Sequence, residues 1–255
     1  MTMWPHIRLA ARLVALVPFT AVFYCLRLLT FPLALLSKSC ERKVRRSLFK
    51  TWGKGVAAIA GMRVRLRGIP PDPPFLLVSN HLSLVDIVVF ASCTGEVFVS
   101  KSEVKHWPVI GYLARSTNTI FIDRERLRDT LWANKRIGQA LDDGHGVHVF
   151  AEGGVSGDGA LHPFKSALLE SAVIRDLPVY YATIAYRTFA GSPPASETIV
   201  WRPTVSFARS VAKTLKLPAF EVIVVFGNEP VSAPNRKDLA QRLREAVQEH
   251  LIPTP

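Results

Sequence analysis

Phe75-Leu76-Leu77-Val78-Ser79-Asn80-His81-Leu82-Ser83-Leu84-Val85-Asp86-Ile87-Val88-Val89-Phe90-Ala91 decides how this 255-residue chain is read. Phe75 to Val78 is an unbroken apolar run, the pattern of a short strand buried on both faces. Ile87 to Ala91 is a second apolar run, too short to assign by period alone. Ser83 between them suits a helix N-cap, with Asp86 at the third helical position as a short variant of the capping box. The expected geometry is strand, tight turn, helix. Five residues advance about 500° on one continuous helix, so His81 and Asp86 would not share a face there. The turn is what lets the carboxylate reach back to the imidazole. Such a pair performs general base catalysis: His81 accepts a proton from a hydroxyl, and Asp86 fixes the tautomer and stabilises the imidazolium. A lone His-x4-Asp is more often a capping acid beside an ordinary loop histidine, so the rest of the chain has to decide.

Further stretches follow in a telling order. Lys101, Pro108 and Gly111 precede Ile120-Phe121-Ile122-Asp123-Arg124; then come Phe150-Ala151-Glu152-Gly153, Pro163-Phe164-Lys165 and Leu177-Pro178-Val179. With Asn80-His81-x4-Asp86 in front, the set resembles the four motifs of the glycerolipid acyltransferase family, which includes the lysophosphatidic acid acyltransferases. The resemblance runs from about Met62 to Phe226. It implies that His81 and Asp86 are catalytic and that the acceptor's own hydroxyl attacks. It implies that Arg124, with Lys101, holds the acceptor headgroup through charge-assisted contacts. Glu152 and Gly153 would line the opposite wall, where backbone N–H groups of a Gly-rich turn suit an oxyanion. The implied reaction is transfer of a fatty acyl group from acyl-CoA or acyl carrier protein to a lysophospholipid, foremost lysophosphatidic acid to give phosphatidic acid. No cofactor is implied, since the thioester is a co-substrate.

The chain also departs from the family. Ala151 stands where the third motif has Pro, Gly154 where it has Thr, and Val155 where it has Arg; Tyr181 replaces a second Pro in the fourth. The missing arginine removes a cation from the acceptor's side. A lysolipid with another headgroup, such as a lyso-ornithine lipid, is therefore the alternative acceptor, and a catalytically impaired lipid-binding protein is the non-enzymatic alternative.

Composition bounds the partners. The chain is 49% hydrophobic and carries a formal net charge of +12. That surface suits anionic headgroups, phosphorylated thioesters or nucleic acid, but no nucleic-acid-reading motif is present. Three scattered cysteines make no disulfide framework and fit a reducing compartment. His145, His148 and His162 have no Cys or carboxylate at a zinc-like spacing, so no metal site is expected.

Leu9 to Leu36 is apolar except for Arg12, Pro18, Arg27 and Pro32. Its core exceeds the roughly 20 residues a bilayer crossing needs. It crosses once, or forms a shallow hairpin bent near Pro18 or Pro32, or packs as a buried core helix pair; Arg27 in mid-span favours the hairpin over a crossing. Lys38, Arg42, Lys43, Arg45, Arg46, Lys50 and Lys54 follow, against Arg8 and Arg12 before. That asymmetry predicts the cytoplasmic face of the inner membrane for the C-terminal side. Glu41 to Ala60 reads as a basic amphipathic helix, either of interfacial type or packed on the domain with a solvated charged face.

The remaining pattern predicts strands at 63–67, 96–101, 118–123, 147–150, 179–185 and 221–226. It predicts helices at 127–143 (Leu131, Ile137 and Leu141 inward), 165–174 and 236–250. The expected fold is α/β, a mixed and mostly parallel sheet flanked by helices with membrane-associated helices at the N-terminus. Residues 1–60 would form the anchor and 61–255 the acyltransferase domain.

Overall fold

The computed structural model describes residues 3–123 and 126–255. Seven strands form one sheet in the order β1-β7-β6-β2-β5-β3-β4. They are β1 (Met62–Arg67), β2 (Phe75–Ser79), β3 (Val97–Lys101), β4 (Ile120–Ile122), β5 (Gly146–Phe150), β6 (Val179–Thr188) and β7 (Phe220–Phe226). Strands β6, β2, β5, β3 and β4 run parallel. β7 is antiparallel to β6 and carries β1 in parallel beside it. The mixed, mostly parallel sheet expected from the pattern is the one found. β2 and β5 are buried at every residue, which is why both read as mostly apolar runs, His148 excepted. The carboxyl ends of the five parallel strands share one edge, where ligands of such sheets collect.

Helices cover both faces. On one, α3 (Lys38–Ala60) and α4 (Asp86–Cys93) pack over Phe75, Leu77, Phe98, Ala182 and Val222. On the other, α6 (Leu127–Asp142), α7 (Glu170–Ile174) and α10 (Arg236–Glu249) cover Leu76, Val78, Val99 and Val147. The period predicted Leu131 inward along with Ile137 and Leu141, but Leu131 is 63% exposed. α6 meets the sheet through Ala133, Ile137 and Leu141. The helix predicted over 165–174 begins as a 3₁₀ turn over Ser166–Leu169 and becomes α-helical only in α7. Two helices went unpredicted, α5 (Ile110–Ser116) and α9 (Phe207–Lys216), as did the short α8 (Ala195–Thr198).

The N-terminal stretch is one helix, α1 (Trp4–Leu29), which runs through Pro18 and ends before Pro32. A single turn, α2 (Leu33–Leu36), leads into α3, which Ser37 caps by accepting from the Cys40 N–H. α1 and α3 are antiparallel: Trp52 Nε1–H donates to Thr20 Oγ1 and Arg27 pairs with Glu41 at 2.6 Å. So the chain does bend near Pro32, but the return arm is the basic helix and not a second apolar one. Trp4–Leu36 is long and apolar enough to cross a bilayer, and none of its most apolar 18 residues is buried.

The basic face of α3 was expected at an interface with lipid or solvent. Much of it turns inward instead. Arg45 is fully buried, reaching the Thr117 carbonyl and His145 Nδ1. Arg46 pairs with Glu96 at 2.7 Å, and Arg42 donates to the Asp143 carbonyl. Arg27 donates to the Ser116 carbonyl at 2.8 Å. These guanidiniums satisfy carbonyls before the strand starts, where the sheet itself offers no donor.

α3 crosses α4 at Gly53, where a Cβ would lie 2.6 Å from the Ser92 nitrogen and 2.9 Å from the Val88 carbonyl oxygen. In an open helix Gly→Ala gains about 1 kcal/mol of propensity. Here backbone meets backbone, so Gly53→Ala should lower stability by about 1–3 kcal/mol. Gly154→Ala, with nothing within 4 Å, should leave the melting temperature unchanged; thermal melts in detergent compare the two.

Candidate active site

β2 leaves the sheet at Ser79, and the Asn80 side chain continues its ladder. Asn80 Nδ2–H donates to the Ile184 carbonyl at 3.0 Å, and Asn80 Oδ1 accepts the Ile184 N–H at 2.8 Å. The chain then turns sharply through His81 and Ser83 before α4 begins at Asp86. Ser83 does not cap the helix from the predicted position. Val85 is the N-cap residue, and Ser83 Oγ–H donates to the Ile199 carbonyl at 2.6 Å. Asp86 is the first helical residue, and its carboxylate serves the turn in front of it.

That carboxylate is fully buried and accepts four hydrogen bonds. Asp86 Oδ2 takes His81 Nδ1–H at 2.7 Å, the Leu82 N–H at 2.7 Å and the Ser83 N–H at 3.0 Å. Asp86 Oδ1 takes the Tyr186 hydroxyl. An acid donated to in this way acts as an acceptor towards the ring, so His81 carries its neutral-state proton on Nδ1 and leaves the Nε2 lone pair free. The ring stacks on Phe150, with centroids 3.9 Å apart and planes 16° apart. The side chain is 13% exposed, a recessed position.

The segment after β5 grips the main chain of His81. Glu152 Oε1 accepts the His81 N–H at 2.8 Å, and Glu152 Oε2 accepts the His162 N–H at 2.9 Å. Ser156 returns both its N–H and its hydroxyl to the His81 carbonyl, at 2.8 and 3.1 Å. Burial pushes the Glu152 carboxyl upward, against the two amide hydrogen bonds that favour its ionised form. Glu152 therefore faces the protein, not an open acceptor site. Gly153 adopts φ 81°, its N–H bonds to the Phe150 carbonyl, and Lys165 lies over it where a Cβ would go. The Gly153 amide is spent on closing its own turn. Lys101 ends β3, exposed, on the same sheet edge. Asp123 pairs with Arg126 at 3.2 Å; Arg124 lies outside the described residues.

Tyr186, Phe150, Ser156 and the Ile199 carbonyl were not singled out from the sequence. Tyr186 is one of ten residues in a strand buried along most of its length, and nothing in its neighbours marks it. Phe150 belonged to a matched motif, but its role under the ring depends on β5 lying next to β2.

With this geometry in place, similarity to known proteins can be weighed. Residues 63–186 match the family model described as Acyltransferase. A lyso-ornithine lipid O-acyltransferase of Rhizobium meliloti (strain 1021) is 32% identical over 242 residues, covering 88% of this chain and 82% of that protein. The chain belongs to the acyltransferase family. A 1-acyl-sn-glycerol-3-phosphate acyltransferase of Neisseria meningitidis serogroup B is 28% identical over 212 residues, 82% of each chain. This acyltransferase also shares the fold of the 1-acyl-sn-glycerophosphate acyltransferase PlsC of Thermotoga maritima. The TM-score is 0.60 at 21% identity, over 94% of this chain and 97% of that one.

Beneath Phe150 lies a second imidazole. His148 is fully buried among Phe90, Phe98 and Phe150, with Nε2 2.9 Å from Ser79 Oγ. Burial, with a smaller contribution from His81, lowers its pKa from 6.5 to about 3. Burial and Arg45 likewise lower His145 to about 4. In the window between those values and 6.5 the unfolded chain binds protons that the folded acyltransferase does not. Stability therefore falls as pH falls from 6.5, by up to about 1.4 kcal/mol per pH unit for fully buried His148 and by less for part-exposed His145. His148→Phe should lose less stability than wild type between pH 7 and pH 4, measured as the difference between their denaturant midpoints across that range.

Proposed function

We propose that this acyltransferase moves a fatty acyl group from a thioester, acyl-CoA or acyl carrier protein, to the hydroxyl of a lysolipid. The observation that carries the reading is the His81 Nδ1 to Asp86 Oδ2 bond of 2.7 Å on a ring fixed by Phe150. His81 Nε2 removes the acceptor hydroxyl's proton as its oxygen attacks the thioester carbonyl. The tetrahedral intermediate expels the thiolate with cleavage of the C–S bond. The proton held on Nε2 passes to the leaving sulfur, and the ring returns neutral. Asp86 keeps the ring in the right tautomer and balances the transient imidazolium. Lys101, at the end of β3, and Arg124 are assigned to the headgroup. Glu152 is assigned to holding the His81 backbone in place, and Gly153 to the turn that carries Glu152, not to contact with the acceptor.

Of the two acceptors, the lyso-ornithine lipid is favoured. A phosphate dianion calls for several cations, and Val155 stands where the family motif places an arginine. A lyso-ornithine headgroup brings its own ammonium beside its carboxylate, and so needs fewer cations from the protein. The R. meliloti relative bears that activity in its name. Lysophosphatidic acid is the second reading. It is supported by the Ile120-Phe121-Ile122-Asp123-Arg124 stretch, by the net charge of +12 and by the Neisseria relative.

Residues 1–60 are assigned to the anchor and 61–255 to the chemistry. Exposed Val14, Val17, Leu29, Leu35 and Leu36 support a lipid-facing stripe on α1 and α2. Cytoplasmic placement rests on the basic residues after the stripe that remain outward, among them Lys38, Lys43 and Lys54, and on three free cysteines.

His81→Ala should lower kcat about 10²–10⁴-fold with unchanged thermal stability in detergent. A folded His81→Ala protein with wild-type turnover of labelled acyl thioester would sink the assignment. In an acceptor screen, lyso-ornithine lipid should give the higher kcat/KM. Preference for lysophosphatidic acid would replace the acceptor and keep the reaction.

A further inference from the structure

The hydrogen-bond path from His81 does not end at Asp86. Tyr186 lies in β6 opposite Val222 of β7, with no solvent exposure, and its ring is packed against Phe220. Its hydroxyl donates to Asp86 Oδ1, the oxygen His81 does not use. Its backbone N–H is held by Thr254 Oγ1 at 3.1 Å, so the ring's approach to Asp86 is set by the sheet. Burial first, and the Asp86 charge second, keep the phenol proton far above the ordinary tyrosine range. Tyr186 is therefore a donor to Asp86 at neutral pH.

We propose that Tyr186 is a positioning residue for acyl transfer, acting through Asp86 to keep the shared proton on His81 Nδ1. The proposal rests on His81 being the general base, as assigned above. When His81 takes the acceptor's proton on Nε2, its Nδ1–H faces a buried carboxylate. A carboxylate out of water competes strongly for a proton. The phenol hydrogen bond lowers that competition, as the Leu82 and Ser83 amides do at the other oxygen. The ring then keeps its Nδ1 proton and its orientation, and passes the Nε2 proton to the leaving sulfur. No bond of Tyr186 is made or broken.

The test uses full-length protein in detergent, with acyl thioester turnover followed against pH. Tyr186→Phe should lower kcat about 10- to 100-fold, the range for losing one hydrogen bond to a charged group, with KM for donor and acceptor unchanged. Its acid limb should move to higher pH, because a less neutralised Asp86 raises the proton affinity of His81. A second variant carries 3-fluorotyrosine at position 186, which keeps the hydroxyl and nearly the shape but donates more strongly. Its acid limb should move to lower pH with the melting temperature unchanged. If Tyr186→Phe does not fold, the fluorinated variant alone decides. Wild-type kcat and an unmoved acid limb in a folded variant overturn the proposal. So does a loss confined to melting temperature or KM. His81→Ala is measured alongside: an active His81→Ala protein removes the base assignment itself, whereas an inactive one beside wild-type-like Tyr186 variants removes only the role of Tyr186.

Discussion

A carboxylate with no contact with water and four donors around it is the constraint on which the catalytic edge depends. Stripping an anion of solvent is costly unless hydrogen bonds replace the lost water. Asp86 recovers that loss from one imidazole, one phenol and two backbone amides. Two of those donors, Leu82 and Ser83, come from the turn itself, so the turn can close only in the shape that aims them at the acid. The imidazole is placed by the same acid, its Nδ1–H bonding Oδ2 beside the two turn amides while the phenol takes Oδ1. Asn80 on Ile184 and Ser83 on Ile199 lock the two shoulders of the turn to neighbouring chain.

The opposite side of the turn is held by a segment from β5. Glu152 and Ser156 occupy the N–H and the carbonyl of His81, and Phe150 lies under its ring. These three contacts come from one stretch of seven residues, so the third motif is a bracket for the first. This explains how Ala151, Gly154 and Val155 can differ from the family pattern while the histidine keeps its geometry. None of those three side chains is needed for the bracket, and Glu152, which is needed, is retained. Ala151 is buried in the apolar core, whereas Gly154 and Val155 remain partly exposed.

What was legible in the sequence follows from locality. β2, β5 and β7 were readable because burial on both faces leaves mostly apolar side chains. α3 and α10 were readable because their period extends over several turns. α5 is seven residues long and stands by tertiary contact; its Gly111 lies where a Cβ would come within 2.3 Å of the Lys105 carbonyl oxygen. Leu131 obeys the helical period, but no layer of the fold lies over it. The inward basic face of α3 was hidden for the same reason: the charges were visible, but their carbonyl partners at Thr94, Thr117 and Asp143 are some 50 to 100 residues away. The His81–Asp86 pair was legible because five residues and a turn contain it. Tyr186, a hundred residues from Asp86, was not.

α1 is fastened at both ends. Arg8 and Arg12 hold the carbonyls of Leu215, Lys216, Leu217 and Pro218 at the end of α9, where a helix terminus attracts cations. Arg27 holds Ser116 at the end of α5. A rod pinned at two separated points transmits its tilt instead of absorbing it. Anything that seats on its bare apolar side thereby also sets how far His81 stands from that same surface.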